Sequence, residues 1–171
     1  MLLALVAAMT IANGEFLERS VTVDQVAHVY RVWIPPDYTT SRRWPAVLFL
    51  HGSGERGSDG LKPTQVGLGP ALLAGVAGAG AIVVFPQCPE NEHWVGPARN
   101  IAMAALDAVE KEFSIDRRRV ALTGISMGGA GAWVLAAEHP DRWSAAAPIC
   151  GWVVRPRKLT SIPDNKLPWL G

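Results

Sequence analysis

Val120-Ala121-Leu122-Thr123-Gly124-Ile125-Ser126-Met127-Gly128-Gly129 is the stretch on which the fold turns. It reads as a short apolar strand, then G-x-S-x-G, then the first turn of a helix. A bare G-x-S-x-G is common, and it acquires meaning only between a strand and a helix. In that context the sharp turn forces Ser126 into a strained backbone conformation and lifts its hydroxyl above the sheet edge. Gly124 and Gly128 are expected where neighbouring backbones come too close for a Cβ. Gly129 lets the helix lie tightly on the strand. The amide of Met127, at the helix N-terminus, points to where a carbonyl oxygen would gain negative charge. The bland alternative is a glycine-rich turn carrying an ordinary serine. Ser126 is the candidate nucleophile and Met127 one candidate oxyanion donor.

Upstream, Pro45 to Leu50 is a continuous apolar run, as expected of a strand buried on both faces. It leads into His51-Gly52-Ser53-Gly54-Glu55-Arg56-Gly57-Ser58-Asp59-Gly60. A glycine-rich loop leaving a buried strand lies where open α/β sheets place ligands. Its amides at Ser53 or Gly54 are the candidates for a second oxyanion donor. The loop lacks the G-x-x-x-x-G-K-[ST] pattern of a phosphate cradle. His51 precedes the serine and reads as structural.

Around these motifs the chain alternates strand and helix. Glu15 to Pro35 reads as two strands with a turn at Asp24-Gln25, and Ala81 to Phe85 as a buried strand. A short helix is expected near Pro70 to Ala77, a longer one over Pro97 to Phe113, and another over Met127 to Glu138. The residue before Pro140 ends the last of these. Ser144 to Ile149 is a further strand. Arg117-Arg118-Arg119 reads as a solvated loop before a strand. The expected fold is α/β, a mostly parallel sheet flanked by helices. Trp94 and Trp152, on loops at the same sheet edge as Ser126, are candidate substrate-binding residues, the alternative for Trp94 being an aromatic that simply covers its loop.

Composition narrows the function classes. The chain has 171 residues, 18% of them charged, and a formal net charge of +1. That gives no electrostatic reason to propose nucleic acid or an acidic partner. Cys88 and Cys150 make no disulfide framework, and His28, His51, His93 and His139 show no metal-ligand spacing, so neither cofactor nor metal is expected. Residues 1–14 form an apolar run ending in small residues. It is too short for a confident membrane span and lacks a positive start. It reads as a possible signal peptide or a spurious extension ahead of a domain over 15–171. Secretion or a periplasmic location is the expectation, with the cytoplasm as alternative.

Taken in order, HGSGERG, PQCPEN with Trp94, RVALTGISMGGAGAW and AAAPICGW resemble the α/β-hydrolase superfamily. The likeness is to its dienelactone-hydrolase-like branch, which holds polyhydroxybutyrate depolymerases, feruloyl esterases and predicted peptidases. It runs from about Tyr30 to Gly151. The resemblance implies an α/β-hydrolase fold and a Ser-His-Asp hydrolase in which Ser126 attacks an acyl carbon. It also implies that Cys88 and Cys150 lie on strands that are not neighbours and remain free thiols.

The sequence departs from that pattern in one respect. The family places its acid after the strand following AAAPICGW, and its histidine beyond the next strand. Here Leu167 to Gly171 resembles the start of the acid-bearing strand, Asp164 precedes it, and no histidine follows His139. His139 and Asp141 lie a helix of roughly 18 Å away from Ser126. The expectation is a domain incomplete at the C-terminal edge of its sheet, with an apolar edge open to self-association. The expected function is serine-dependent hydrolysis of a small-molecule or polysaccharide-linked carboxylic ester. The alternatives are a serine peptidase of the prolyl-oligopeptidase-related type, and a non-catalytic fragment or binding pseudoenzyme.

Overall fold

A computed structural model describes residues 14–75 and 80–153. The chain opens with a hairpin of β1 (Glu15–Val23) and β2 (Val26–Ile34), paired antiparallel along their whole length. Asp24 and Gln25 turn it, both with positive φ, 49° and 64°. Two consecutive left-handed residues give the tight turn whose twist matches that of the flanking strands.

Next come β3 (Trp44–Leu50), α1 (Leu68–Leu73), β4 (Ile82–Pro86), α2 (Ala98–Glu112), β5 (Ile115–Ile125), α3 (Met127–Glu138) and β6 (Ala145–Ile149). Among the described residues the sheet order is β1-β2-β4-β3-β5-β6. Neighbours β4, β3, β5 and β6 run parallel, whereas β2 meets β4 antiparallel. The parallel strands are joined by helices on both faces, as parallel pairing requires a long crossover.

The two faces hold two cores. On one, Val32, Leu48, Val84 and Leu122 pack under Ala102, Leu106 and Val109 of α2 and Leu135 of α3. On the other, Trp33, Phe49, Val83 and Phe85 pack against Leu72 of α1. Every residue of β4 is buried, which explains its unbroken apolar sequence. Along β2 the alternation persists: Val32 and Ile34 face the larger core while Trp33 faces the smaller one.

Two elements differ from the sequence reading by more than a single residue at an end. The strand leading to the sharp strand-to-helix turn at Ser126, the elbow, begins at Ile115, so Arg117, Arg118 and Arg119 lie within β5, not in a loop before it. Ile115 is buried and pairs with Trp44, and the register then shifts before Ala46 meets Val120. The arginines occupy that irregular, solvent-facing stretch, where Asp116 pairs with Arg118 and Arg119, and Glu110 with Arg117. The short helix near Pro70 spans Leu68–Leu73, and the last two residues expected for it, 76 and 77, lie outside the described residues. Also outside them lie residues 1–13, Asp164 and the segment from Leu167 to Gly171.

Candidate active site

Ser126 stands between β5 and α3, solvent-exposed, with φ 54° and ψ −113°. This region is uncommon for any residue with a Cβ and strained for serine. The surrounding backbone holds it there. The Ser126 amide donates to the Ile149 carbonyl at 2.9 Å, and its carbonyl accepts the Ala130 amide at 3.0 Å as the helix starts.

The elbow glycines are required by close approach. A Cβ on Gly124 would lie 2.5 Å from the Gly128 carbonyl oxygen and 2.8 Å from that of Leu50. One on Gly128 would overlap the Leu50 carbonyl and stand 2.7 Å from that of His51. One on Gly129 would meet the Ile149 carbonyl at 2.5 Å. So α3 sits directly on the ends of β3 and β6, with its first amides, Met127 among them, beside Ser126. The first amides of any helix lack intrahelical acceptors, and there they are available to a developing anion.

The loop after β3 passes the same point. A Cβ built on Gly52 would come within 3.9 Å of the Ser126 Cβ, so this loop lies against the nucleophile. Gly52 leads into a 3-10 turn, Ser53–Glu55, in which Ser53 and Gly54 are exposed. The structure thus gathers Ser126, Met127 and the Ser53–Gly54 turn at one end of the sheet. This arrangement is suited to holding a tetrahedral oxyanion.

His51 is fully buried. Its Nδ1 donates to the Gly52 carbonyl at 2.6 Å, and its Nε2 accepts the Cys88 amide at 2.9 Å. Burial pushes its pKa down to about 4, against the opposing pull of the Gly52 hydrogen bond. With both ring nitrogens engaged and the ring neutral, His51 is a brace between the ends of β3 and β4. His93 accepts from the Arg56 guanidinium at 3.1 Å. Among the described residues, no hydrogen bond joins Ser126 to a histidine.

Trp94 differs from its expected role. It is fully buried, its indole N–H donates to the His51 carbonyl at 2.9 Å, and its ring meets His51 edge-on at 5.0 Å. A Cβ on Gly131 of α3 would overlap its side chain. It therefore supports the elbow from beneath and has no surface to offer a ligand. Its place on a loop at the Ser126 edge suggested a pocket-lining role, whereas the space left by the missing Cβ of Gly131 accepts it in the interior. Trp152 is half-exposed and follows Gly151, whose backbone packs on Gly129 and Ala130 at the start of α3.

One organising residue was not singled out from the sequence. Gln87 is buried beside the loop from Gly52 to Gly60 and hydrogen-bonds three of its residues. Its signal was a lone amide directly after an all-apolar strand. Cys88 is buried, which pushes its thiol up to about 12, while Cys150 is exposed, and both are free. Among the described residues no group of three or more His, Cys, Asp or Glu side chains could hold a metal ion. No helix among them is long and apolar enough to cross a membrane.

The family model Esterase, described as "Putative esterase", matches residues 25–169. A thermostable esterase of known structure is 29% identical, with a TM-score of 0.69 over 81% of this chain and 41% of that one. The feruloyl esterase module of Clostridium thermocellum, solved with sinapinate, is 18% identical, with a TM-score of 0.67 over 86% of this chain and 57% of that one. FphF, a fluorophosphonate-binding serine hydrolase of Staphylococcus aureus, is 17% identical, with a TM-score of 0.65 over 81% of this chain and 58% of that one. This chain thus spans about two-fifths to three-fifths of the length of these structures. No curated protein matches the chain.

Proposed function

Since the chain belongs to the Esterase family, with the α/β-hydrolase fold, we propose that it hydrolyses carboxylic esters through an acyl-enzyme on Ser126. The observation that carries this is the strained, exposed Ser126 at φ 54°, flanked by the first amides of α3 and by the Gly52 loop. In the proposed reaction the Ser126 oxygen attacks the acyl carbon and the carbonyl oxygen becomes an oxyanion. The amide of Met127 and that of Ser53 or Gly54 hold it. The alcohol leaves with a proton, and water then releases the acid.

Ser126 must lose its proton during attack, and a serine without a base is a poor nucleophile. His51 is excluded from that task by its two hydrogen bonds. The oxyanion donors and binding alone typically support roughly 10³–10⁴-fold catalysis over water. We place turnover through Ser126 above that serine-independent floor, and far below that of a serine whose proton a base accepts.

For substrate, we propose an ester whose acyl or sugar part stacks on Trp152, the half-exposed aromatic beside the first turn of α3. The feruloyl esterase module solved with sinapinate supports an aromatic acyl group. Secretion is proposed from the apolar run of residues 1–14. Self-association is proposed through the outer side of β6, which pairs only with β5 among the described residues.

The test is hydrolysis of p-nitrophenyl acetate and p-nitrophenyl ferulate, with p-nitroanilides alongside. Ester turnover above that of Ser126→Ala supports the reading. Turnover equal to that of the variant refutes it, and turnover confined to the anilides makes the protein a peptidase.

A further inference from the structure

Gln87 follows the end of β4 and is 2% exposed, one of the few buried polar side chains. Its amide is used at both ends. Oε1 accepts the Gly60 amide at 2.6 Å, while Nε2 donates to the Glu55 carbonyl at 2.9 Å and to Asp59 Oδ1 at 3.3 Å. The loop curls tightly around this group. Gly57 has φ 144°, a Cβ there would stand 2.9 Å from Gln87 Nε2, and the Gly57 amide donates to the Cys88 carbonyl at 3.0 Å.

Glu55 is the last residue of the 3-10 turn that begins at Ser53. The tip of that turn is open on the side of Gly54, where a Cβ would meet nothing within 4 Å. The turn is fastened at both ends, by His51 Nδ1 on the Gly52 carbonyl before it and by Gln87 Nε2 on the Glu55 carbonyl at its close. The Ser53 amide shares its peptide plane with the Gly52 carbonyl and is held by His51, whereas the Glu55 bond restrains the end of the turn that carries the Gly54 amide. A preorganised donor is effective because it needs no reorientation as the oxyanion forms.

Resting on the ester-hydrolase reading above, we infer that Gln87 is a positioning residue that sets the oxyanion-donating Gly54 amide of the Ser53–Glu55 turn through its hydrogen bond to the Glu55 carbonyl, with His51 holding the turn's other end. Its bonds to Gly60 and to Glu55 have separable roles. The Gly60 bond closes the loop, and the Glu55 bond orients the turn.

Two variants separate them. Gln87→Met removes all three bonds, whereas Gln87→Glu, assayed at alkaline pH where the carboxyl is ionised, keeps an acceptor for Gly60 but presents no donor to Glu55 or Asp59. The experiment measures kcat and KM for p-nitrophenyl acetate, thermal midpoint, and hydrogen exchange of the loop amides in parent, both variants and Ser126→Ala. Loss of one oxyanion donor costs roughly 10²–10³ in kcat, so misorientation is expected to cost about 10- to 100-fold. The inference predicts that loss in both Gln87 variants, with KM within about twofold of the parent. It further predicts that Gly60 exchange is accelerated only in Gln87→Met.

Parental kcat in Gln87→Glu with impaired Gln87→Met would make Gln87 a loop brace alone and overturn the inference. Parental kcat in both variants would overturn it too, leaving Ser126 as nucleophile. A parent no faster than Ser126→Ala would instead remove the ester-hydrolase reading and this inference with it. If Gln87→Met does not fold, Gln87→Glu decides by kcat alone.

Discussion

The amide of Ser126 donates to the carbonyl of Ile149 across the ends of β5 and β6. The candidate nucleophile is therefore held by the strand that follows it, as well as by the turn that contains it. A strained residue persists only where its surroundings over-determine it, and this bond is one of the restraints.

That strain is measurable. Ser126→Gly removes the Cβ from a backbone at φ 54°, ψ −113° that glycine adopts readily. Relief of about 1–3 kcal/mol is partly offset by the greater freedom of glycine in the unfolded chain, about 0.4–1 kcal/mol. The variant is expected to gain about 1 kcal/mol, seen as a thermal midpoint about 2–4 °C higher. A lower midpoint would show that the elbow is unstrained.

Gly128→Ala has the opposite sign. Its Cβ would overlap the Leu50 carbonyl, which is backbone and cannot rotate away. Destabilisation of about 1–3 kcal/mol, the usual cost of overpacking, is expected in chemical denaturation. Ser126-dependent turnover should be lost as well, because α3 must shift. A variant of parental stability and activity would contradict the close packing of α3 on β3.

His51 gives the fold a pH dependence. Its pKa falls from 6.5 to about 4 on folding because burial penalises the charged ring. Between those values the unfolded chain binds the proton and the folded chain does not, so stability drops as pH is lowered from 6.5 towards 4. The full effect is on the order of 3 kcal/mol at one pH unit per 1.4 kcal/mol. Denaturant midpoints at pH 7 and pH 4.5 should reveal it. His51→Asn, less stable overall, should have a shallower slope over that window. An unchanged slope would mean another group titrates.

The two tryptophans should part company. Trp94→Phe loses the bond to the His51 carbonyl and leaves part of a buried site empty, so a stability loss of about 1–3 kcal/mol is expected with KM unchanged. Trp152→Ala, at a half-exposed site, should leave stability within about 0.5 kcal/mol. It should raise KM for p-nitrophenyl ferulate more than for the acetate. The reverse pattern would return Trp94 to the substrate pocket and remove Trp152 from it.

Much of this architecture was legible because its physics is local. The buried run Pro45 to Leu50, the strand-to-helix change at Ser126 and the stop at His139 each follow from a few adjacent residues. The turn at Asp24-Gln25 was also visible, although neither residue is glycine. What was hidden depended on distant partners. Trp94 is buried because Gly131, on another element, leaves room for it. Gln87 matters because Glu55, Asp59 and Gly60 return to it. Arg117 to Arg119 lie in a strand because Ile115 is anchored in the core beside Trp44. None of these pairings leaves a mark in a window of ten residues.

The central claim is that Ser126 is the nucleophile of a preformed elbow. Its most direct test is fluorophosphonate labelling of the 171-residue chain, with and without imidazole as an external base, the adduct being located by peptide mass spectrometry. The account predicts a phosphonate on Ser126 wherever labelling occurs, faster with imidazole, and none in Ser126→Ala. An adduct on another residue, or no adduct under either condition, would contradict it.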